Sequence, residues 1–287
     1  MSDPLSSLSG SEPAHYTAPS QNLKRVRTRH FQTAKQQGIR ITGLTSYDQL
    51  TAAIFDKAGI DFLLVGDSAA NNVLGYDTTL PVTVDELIPL TRAVAGAVTR
   101  AFVIADMPFG SYESGPDLAL ATAVRFMKET GAHAVKLEGG VHSAPQIRRI
   151  VDAGIPVMAH IGFTPQSEHG LGGHLIQGRG AAVDALIQDG LAVEDAGAFA
   201  VVLEMVPAEA AAKVTETLTI PTIGVGAGPD VSGQLMVWTD FAGLGSGRVP
   251  KFVKQYANLN QVLTDAVTAF REDVADGAYP TAEHNYE

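Results

Sequence analysis

Five ionisable side chains each stand at the downstream end of a short apolar run. Asp67 follows Phe62-Leu63-Leu64-Val65-Gly66, Asp106 follows Phe102-Val103-Ile104-Ala105, and Glu138 follows Ala134-Val135-Lys136-Leu137. His160 follows Pro156-Val157-Met158-Ala159, and Glu204 follows Ala200-Val201-Val202-Leu203. Carboxylates brought together repel one another unless a cation or a proton intervenes. Oxygen-only donors in a chain without cysteine suit a hard ion such as Mg²⁺. Asp67, Asp106 and Glu138 are the candidate ligands. An ion of that kind keeps open positions for a chelating substrate, and Glu204 is then left as the general base. Each residue also has a plainer assignment. Asp67 or Asp106 suits a helix cap or turn, and Glu204, just before Pro207, suits the first turn of a helix. Lys136 and Glu138, on one face of a strand, suit an internal ion pair, and His160 suits a core or rim histidine. All five plain at once would leave an acidic cluster repelling itself.

The elements that position these residues repeat from about residue 40 onward. A helical segment ends at a glycine, a short apolar run follows, and the run gives way to a polar or Gly-rich loop. The helix ends read Ala58-Gly59, Thr130-Gly131, Ala153-Gly154 and Ala196-Gly197, and glycine past a helix closes its last carbonyls. The runs are apolar on consecutive residues, as strands buried on both faces of a parallel sheet must be. Thr83 with Glu86 predicts a capping box, and Pro145 marks the first turn of another helix. With Ile41–Leu44, Ile220–Val225 and a weaker run near Leu235–Trp238, about eight strands alternate with helices, which predicts one closed β/α barrel. The expected organisation is a disordered arm over residues 1–23, rich in Ser and Pro, and a single-domain (β/α)8 TIM barrel over 24–287. Extra terminal helices are expected, including one from Leu259 to Val274 stopped at Gly277. In such a barrel the downstream ends of the strands converge on one rim, where active sites are built.

Composition removes several classes of function. The chain has 287 residues, 45% of them hydrophobic, with mean hydropathy +0.10, enough for one large core. Twenty Lys+Arg against 31 Asp+Glu give a net charge of -11, which argues against general binding of nucleic acid or anionic membrane. The absence of cysteine excludes disulfides, zinc thiolates and thiol nucleophiles. No apolar run reaches the roughly 18 residues of a membrane span, and the start lacks the apolar stretch of a signal peptide, so a cytoplasmic protein is expected. The basic cluster Lys24, Arg25, Arg27, Arg29 reads as a solvated helix start in preference to a docking site. Gly224-Val225-Gly226-Ala227-Gly228 runs into Pro229-Asp230 and lacks the context of a dinucleotide fingerprint; it predicts a turn after the seventh strand. The segment from Gly170 to Gly180 predicts either a flap over the rim or a plain surface loop.

Longer motifs carry a resemblance. Val65-Gly66-Asp67-Ser68, Gly75-Tyr76-Asp77-Thr78-Thr79, Ala105-Asp106-Met107-Pro108-Phe109, Val135-Lys136-Leu137-Glu138-Gly139-Gly140, His160-Ile161-Gly162-Phe163-Thr164-Pro165-Gln166-Ser167, Gln177-Gly178-Arg179-Gly180 and Leu203-Glu204-Met205-Val206-Pro207 resemble the ketopantoate hydroxymethyltransferase (3-methyl-2-oxobutanoate hydroxymethyltransferase) family. The likeness runs from about Thr42 to Pro280-Thr281-Ala282-Glu283-His284. It implies a TIM-barrel one-carbon transferase of pantothenate and coenzyme A biosynthesis, assembled as a homodecamer with one Mg²⁺ per subunit. By the same resemblance Asp67 and Asp106 bind Mg²⁺ directly and with it the oxo acid, and Glu138 belongs to the metal site. Ser68 and Lys136 bind the oxo acid, Glu204 is the proton acceptor, and His160 is an accessory residue. The substrates implied are 3-methyl-2-oxobutanoate and 5,10-methylenetetrahydrofolate. The chain departs from the family pattern at Glu168-His169, where Val-Asn is expected. Two rivals share the carboxylate rim: a Mg²⁺-dependent 2-oxo-acid lyase of the phosphoenolpyruvate mutase and isocitrate lyase kind, which commonly uses a catalytic cysteine, and a non-catalytic 2-oxo-acid sensor.

Overall fold

Strands made of consecutive apolar residues have no face for water, and burial on both sides is what the computed structural model gives them. It describes residues 24–245, 247 and 249–286, so the expected arm over residues 1–23 lies outside the described residues. Eight strands occur: β1 (Ile41–Thr45), β2 (Phe62–Val65), β3 (Phe102–Asp106), β4 (Ala134–Glu138), β5 (Val157–Gly162), β6 (Ala200–Glu204), β7 (Thr222–Val225) and β8 (Gly233–Met236). Every neighbouring pair is parallel, and β8 returns to β1, so the sheet closes into a barrel in chain order. All residues of β2, β3, β4 and β7 are buried. The TIM barrel predicted from the sequence is the fold.

The α-helices are α1 (Thr28–Gln37), α2 (Gln49–Ala58), α3 (Val84–Ala97), α4 (Pro116–Thr130), α5 (Ala144–Asp152), α6 (Glu168–Leu171), α7 (Ala182–Asp195), α8 (Ala208–Thr217), α9 (Trp238–Phe241) and α10 (Leu259–Ala275). α3 starts with the expected capping box between Thr83 and Glu86, a device worth about 1 kcal/mol. α2 and α4 end at Gly59 and Gly131. The outer core lies between this helical ring and the strands. A second cluster fills the barrel, where Phe31 of α1 meets the rings of Phe62, Phe102 and Phe199 with centroids 5.7, 5.6 and 5.1 Å away. α1 therefore plugs the end of the barrel opposite the rim. Room for the Phe62 ring exists because residue 43 is glycine; a Cβ there would lie 2.1 Å from that ring.

The last strand differs from expectation. It spans Gly233–Met236, not Leu235–Trp238, and Trp238 opens α9. No α-helix separates β7 from β8, so the outer face there has less cover and Gln234 is exposed. The apolar run that marks the other strands is correspondingly weak. α10 has no buried residue and displays Val262, Leu263, Val267, Phe270 and Val274 to solvent. Among the described residues no helix is long and apolar enough to cross a membrane.

Candidate active site

The register of the barrel gathers the predicted residues on one rim. Asp106 on β3 lies opposite Lys136 on β4, Glu138 on β4 opposite His160 on β5, and Glu204 on β6 opposite Gly162 on β5. Asp67 and Ser68 follow β2 directly. Asp67, Ser68, Asp106, Lys136, Glu138, His160 and Glu204 all line one cavity of about 1250 Å³. Gly162 makes the close approach possible: its φ is +94°, and a Cβ would lie 2.5 Å from the Glu204 carbonyl oxygen. Met205, next to Glu204, has φ 47° and among the described residues is the non-glycine position with positive φ. That conformation costs about 1–3 kcal/mol and is held by hydrogen bonds on both sides, from Met205 N–H to Val225 O at 2.9 Å and from Gln177 N–H to Met205 O at 3.0 Å.

Each acid has a distinct environment. Asp106 is 1% exposed, accepts from Lys136 Nζ at Oδ1 (2.7 Å) and accepts from the Asp67 N–H at Oδ2 (3.1 Å). Burial pushes its pKa up to about 7 while the Lys136 ammonium pulls it back. Burial favours the neutral Lys136 amine, but the carboxylates of Asp106, Glu138 and Asp67 hold its pKa above the ordinary value. The ion pair of Lys136 is thus with Asp106 across strands, not with Glu138 on its own strand. Glu138 accepts from the Gln166 N–H at Oε2 (3.0 Å), while buried Oε1 has no hydrogen-bond partner among the described residues. Desolvation, partly offset by Lys136, pushes Glu138 up to about 8.

His160 is not the satisfied core histidine of the plainer assignment. It is buried, and among the described residues neither ring nitrogen has a hydrogen-bond partner; Nδ1 lies 3.4 Å from Glu138 Oε1 and Nε2 lies 3.4 Å from Glu204 Oε2. Burial, with the Lys136 charge adding to it, lowers its pKa to about 4, so the ring is neutral near pH 7. Glu204 keeps 21% of its side chain exposed toward the cavity. Desolvation raises its carboxyl to about 7, with His160 opposing. Ser68 Oγ is paired to Tyr47 OH at 2.8 Å.

The donor set fits a hard divalent ion: three carboxylates at one buried rim, one of them with an unpartnered oxygen. It is not closed around a point as it stands, because among the described residues no group of three or more His, Cys, Asp or Glu side chains is arranged to hold a metal ion. Three contributors escaped the sequence reading. Gln166 donates from Nε2 to Asp67 Oδ2 (2.9 Å) and to Met107 O (3.1 Å). Tyr112 donates to Gln166 Oε1 (2.6 Å), and Tyr47 holds Ser68. They are neutral and come from loops, with no charge or periodicity to mark them. The turn after β7 forms as expected, with Gly226 and Gly228 on the cavity wall. The segment 170–180 lies on the rim side: the His174 ring stands 4.9 Å from that of Phe163, and Glu168, His174 and Arg179 line the cavity.

The sequence profile described as ketopantoate hydroxymethyltransferase matches residues 25–282. The chain belongs to that family. A 3-methyl-2-oxobutanoate hydroxymethyltransferase of Leifsonia xyli subsp. xyli is 73% identical over 263 residues, covering 92% of this chain and 95% of the relative. One of the same name from Saccharopolyspora erythraea is 61% identical, covering 92% and 90%. Among solved structures, a 2,3-dimethylmalate lyase described as a PEP mutase/isocitrate lyase superfamily member matches with TM-score 0.56 at 17% identity, covering 90% of this chain and 91% of its own. A phosphonopyruvate hydrolase complexed with oxalate and Mg²⁺ matches with TM-score 0.55 at 16% identity, covering 90% and 93%. At such identity the lyase likeness is one of fold. The family match separates this chain from the lyase alternative, and no feature of the rim favours a sensor.

Proposed function

We propose that this family member is a 3-methyl-2-oxobutanoate hydroxymethyltransferase acting in pantothenate biosynthesis, with 5,10-methylenetetrahydrofolate as the one-carbon donor. The observation that carries the chemistry is Glu204: a carboxyl raised toward neutrality by burial, open to the cavity, beside a buried set of three further carboxylates and one lysine. Asp67, Asp106 and Glu138 would hold Mg²⁺, which when bound supplies Lewis-acid polarisation of the substrate's keto oxygen. Lys136 balances the substrate carboxylate, and Ser68, oriented by Tyr47, donates a hydrogen bond to the oxo acid. Glu204 takes the proton from C3, and the carbon left with the electron pair bonds to the methylene carbon of the folate as one of that carbon's two C–N bonds breaks. One water is consumed. Its hydroxyl replaces the remaining folate nitrogen on the transferred carbon, and its other proton, with the proton from C3, restores the two N–H groups of tetrahydrofolate.

A cavity of about 1250 Å³ exceeds the roughly 300–1,000 Å³ of a site for one small ligand, which supports two substrates bound together. Arg179 and Lys251 on its wall are cations suited to an anionic folate tail. The exposed apolar face of α10 supports assembly with other copies, for which the homodecamer is the expected form, and the chain is expected to act in the cytoplasm. The domain assignment that accompanies this function is an arm over residues 1–23 and a catalytic barrel over 24–287. The experiment is deuterium exchange at C3 of 3-methyl-2-oxobutanoate, followed by NMR with and without Mg²⁺, then turnover with methylenetetrahydrofolate. Exchange and turnover both dependent on Mg²⁺ are expected; Mg²⁺-independent turnover, or none with the folate present, would overturn the assignment.

A further inference from the structure

Gln166 is the residue whose side-chain amide and main-chain N–H together tie the two halves of the acidic rim. It sits in the 3-10 turn Pro165–Ser167 after β5 and is 5% exposed. Its Nε2 spends both protons, one on Asp67 Oδ2 (2.9 Å) and one on Met107 O (3.1 Å). Its Oε1 accepts from Tyr112 OH (2.6 Å), and its main-chain N–H donates to Glu138 Oε2 (3.0 Å). Tyr112 OH in turn accepts from the Glu138 N–H at 3.3 Å. Two acceptors at one end of the amide and a hydroxyl at the other fix which way it points, since a flipped amide would set its oxygen against a carboxylate and a carbonyl.

One oxygen of Asp67 and one of Glu138 are therefore occupied by donors from the same residue, and Glu138 Oε1 is left without a hydrogen bond. A lysine in this place would also orient the Asp67 carboxylate, but its charge would neutralise it and compete with a cation. An amide orients Asp67 and leaves its charge intact. We propose that Gln166 is a positioning residue whose side-chain amide, held in turn by Tyr112, locks the rotamer of Asp67 for a divalent cation, beside a main-chain N–H that holds Glu138 whatever the side chain. This rests on the metal-dependent function proposed above. Outer hydrogen-bond partners of metal ligands are typically worth 10–100-fold in metal affinity.

The test measures Mn²⁺ binding by electron paramagnetic resonance, without substrate and well below the melting temperature, in wild type, Gln166→Met and Tyr112→Phe. Wild type is expected to bind one Mn²⁺ per chain, Gln166→Met about 10–100-fold more weakly, and Tyr112→Phe several-fold more weakly. In turnover, the metal concentration for half activation should rise by the same factors, with kcat at saturating metal falling less. Metal affinity unchanged in Gln166→Met with kcat lowered uniformly would overturn the proposal. If Gln166→Met fails to fold, Tyr112→Phe decides: affinity equal to wild type overturns it. A wild type that binds no Mn²⁺ removes the metal-dependent function itself, an outcome distinct from the failure of Gln166 alone.

Discussion

His160 Nε2 stands 3.4 Å from Glu204 Oε2, in a ring that has no hydrogen-bond partner at either nitrogen among the described residues. A neutral imidazole carries one proton, and its other nitrogen faces Glu138, so it can serve only one of these two carboxylates at a time. That leaves Glu204 short of stabilising donors, which is what a base needs if its pKa is to sit near neutrality and not in the ordinary carboxylate range.

Replacing Glu204 by Gln removes the proton acceptor and keeps the shape. Deuterium exchange at C3 should fall by at least ~100-fold, while calorimetry shows Mg²⁺ and oxo-acid binding close to wild type. Because the carboxyl is raised by burial and must be ionised to act, kcat/KM should climb with pH along a limb above the ordinary value of 4.5. Exchange at the wild-type rate in Glu204→Gln would take this residue out of the mechanism.

Lys136 and Asp106 form a pair 2.7 Å apart, with side chains 4% and 1% exposed. Removing one partner strands the other, at a cost of about 3–5 kcal/mol. Lys136→Met should therefore lower the denaturation midpoint of the metal-free protein sharply, and adding Asp106→Asn to it should restore much of the loss. Asp106→Ala alone is expected to weaken both Mg²⁺ and oxo-acid binding in titration calorimetry. A double variant as unstable as the sum of its parts would show that the two side chains are not coupled.

The fold and the acids were legible in the sequence for one shared reason. Burial on both faces forces unbroken apolar runs such as Phe62–Val65 and Phe102–Ala105, and any charge that ends such a run in a barrel falls on the rim. Where burial relaxes, the signal fades. β8 carries exposed Gln234, so the strand lies two residues upstream of the run near Leu235–Trp238 that the sequence suggests. The plainer pairing of Lys136 with Glu138 failed because the choice between a partner on the same strand and one across the sheet depends on register. Gln166 and Tyr112 were missed as site builders because their role exists only where separate loops meet.

Phe31 plugs the barrel at 0% exposure against three other phenylalanine rings. Phe31→Ala should destabilise by about 3–5 kcal/mol, the range for a large aromatic removed from a core. Since the plug lies opposite the rim, KM for the oxo acid should stay near wild type at temperatures where the variant is folded. A large KM change without loss of stability would mean that α1 communicates with the site.

His133 accepts from the Val103 N–H at Nδ1 (2.9 Å), and burial lowers its pKa from 6.5 to about 4, with nearby Arg25 and Arg27 adding to the shift. Below pH 6.5 the unfolded chain takes up a proton at this position that the folded chain refuses, so His133 by itself makes stability fall with falling pH. Against it stands the opposite contribution of Asp106, Glu138 and Glu204, whose raised carboxyls take up protons first in the folded chain. The His133 contribution is fully present above 6.5 and is lost between 6.5 and about 4. Buried His160, lowered in the same sense, adds to the slope in that window. His133→Asn keeps an acceptor near Nδ1 but cannot titrate, so its stability relative to wild type should rise as the pH falls through that window. Urea midpoints measured from pH 7 to 4.5 check this; parallel curves for the two proteins would show that His133 is protonated as readily in the folded chain as in the unfolded one.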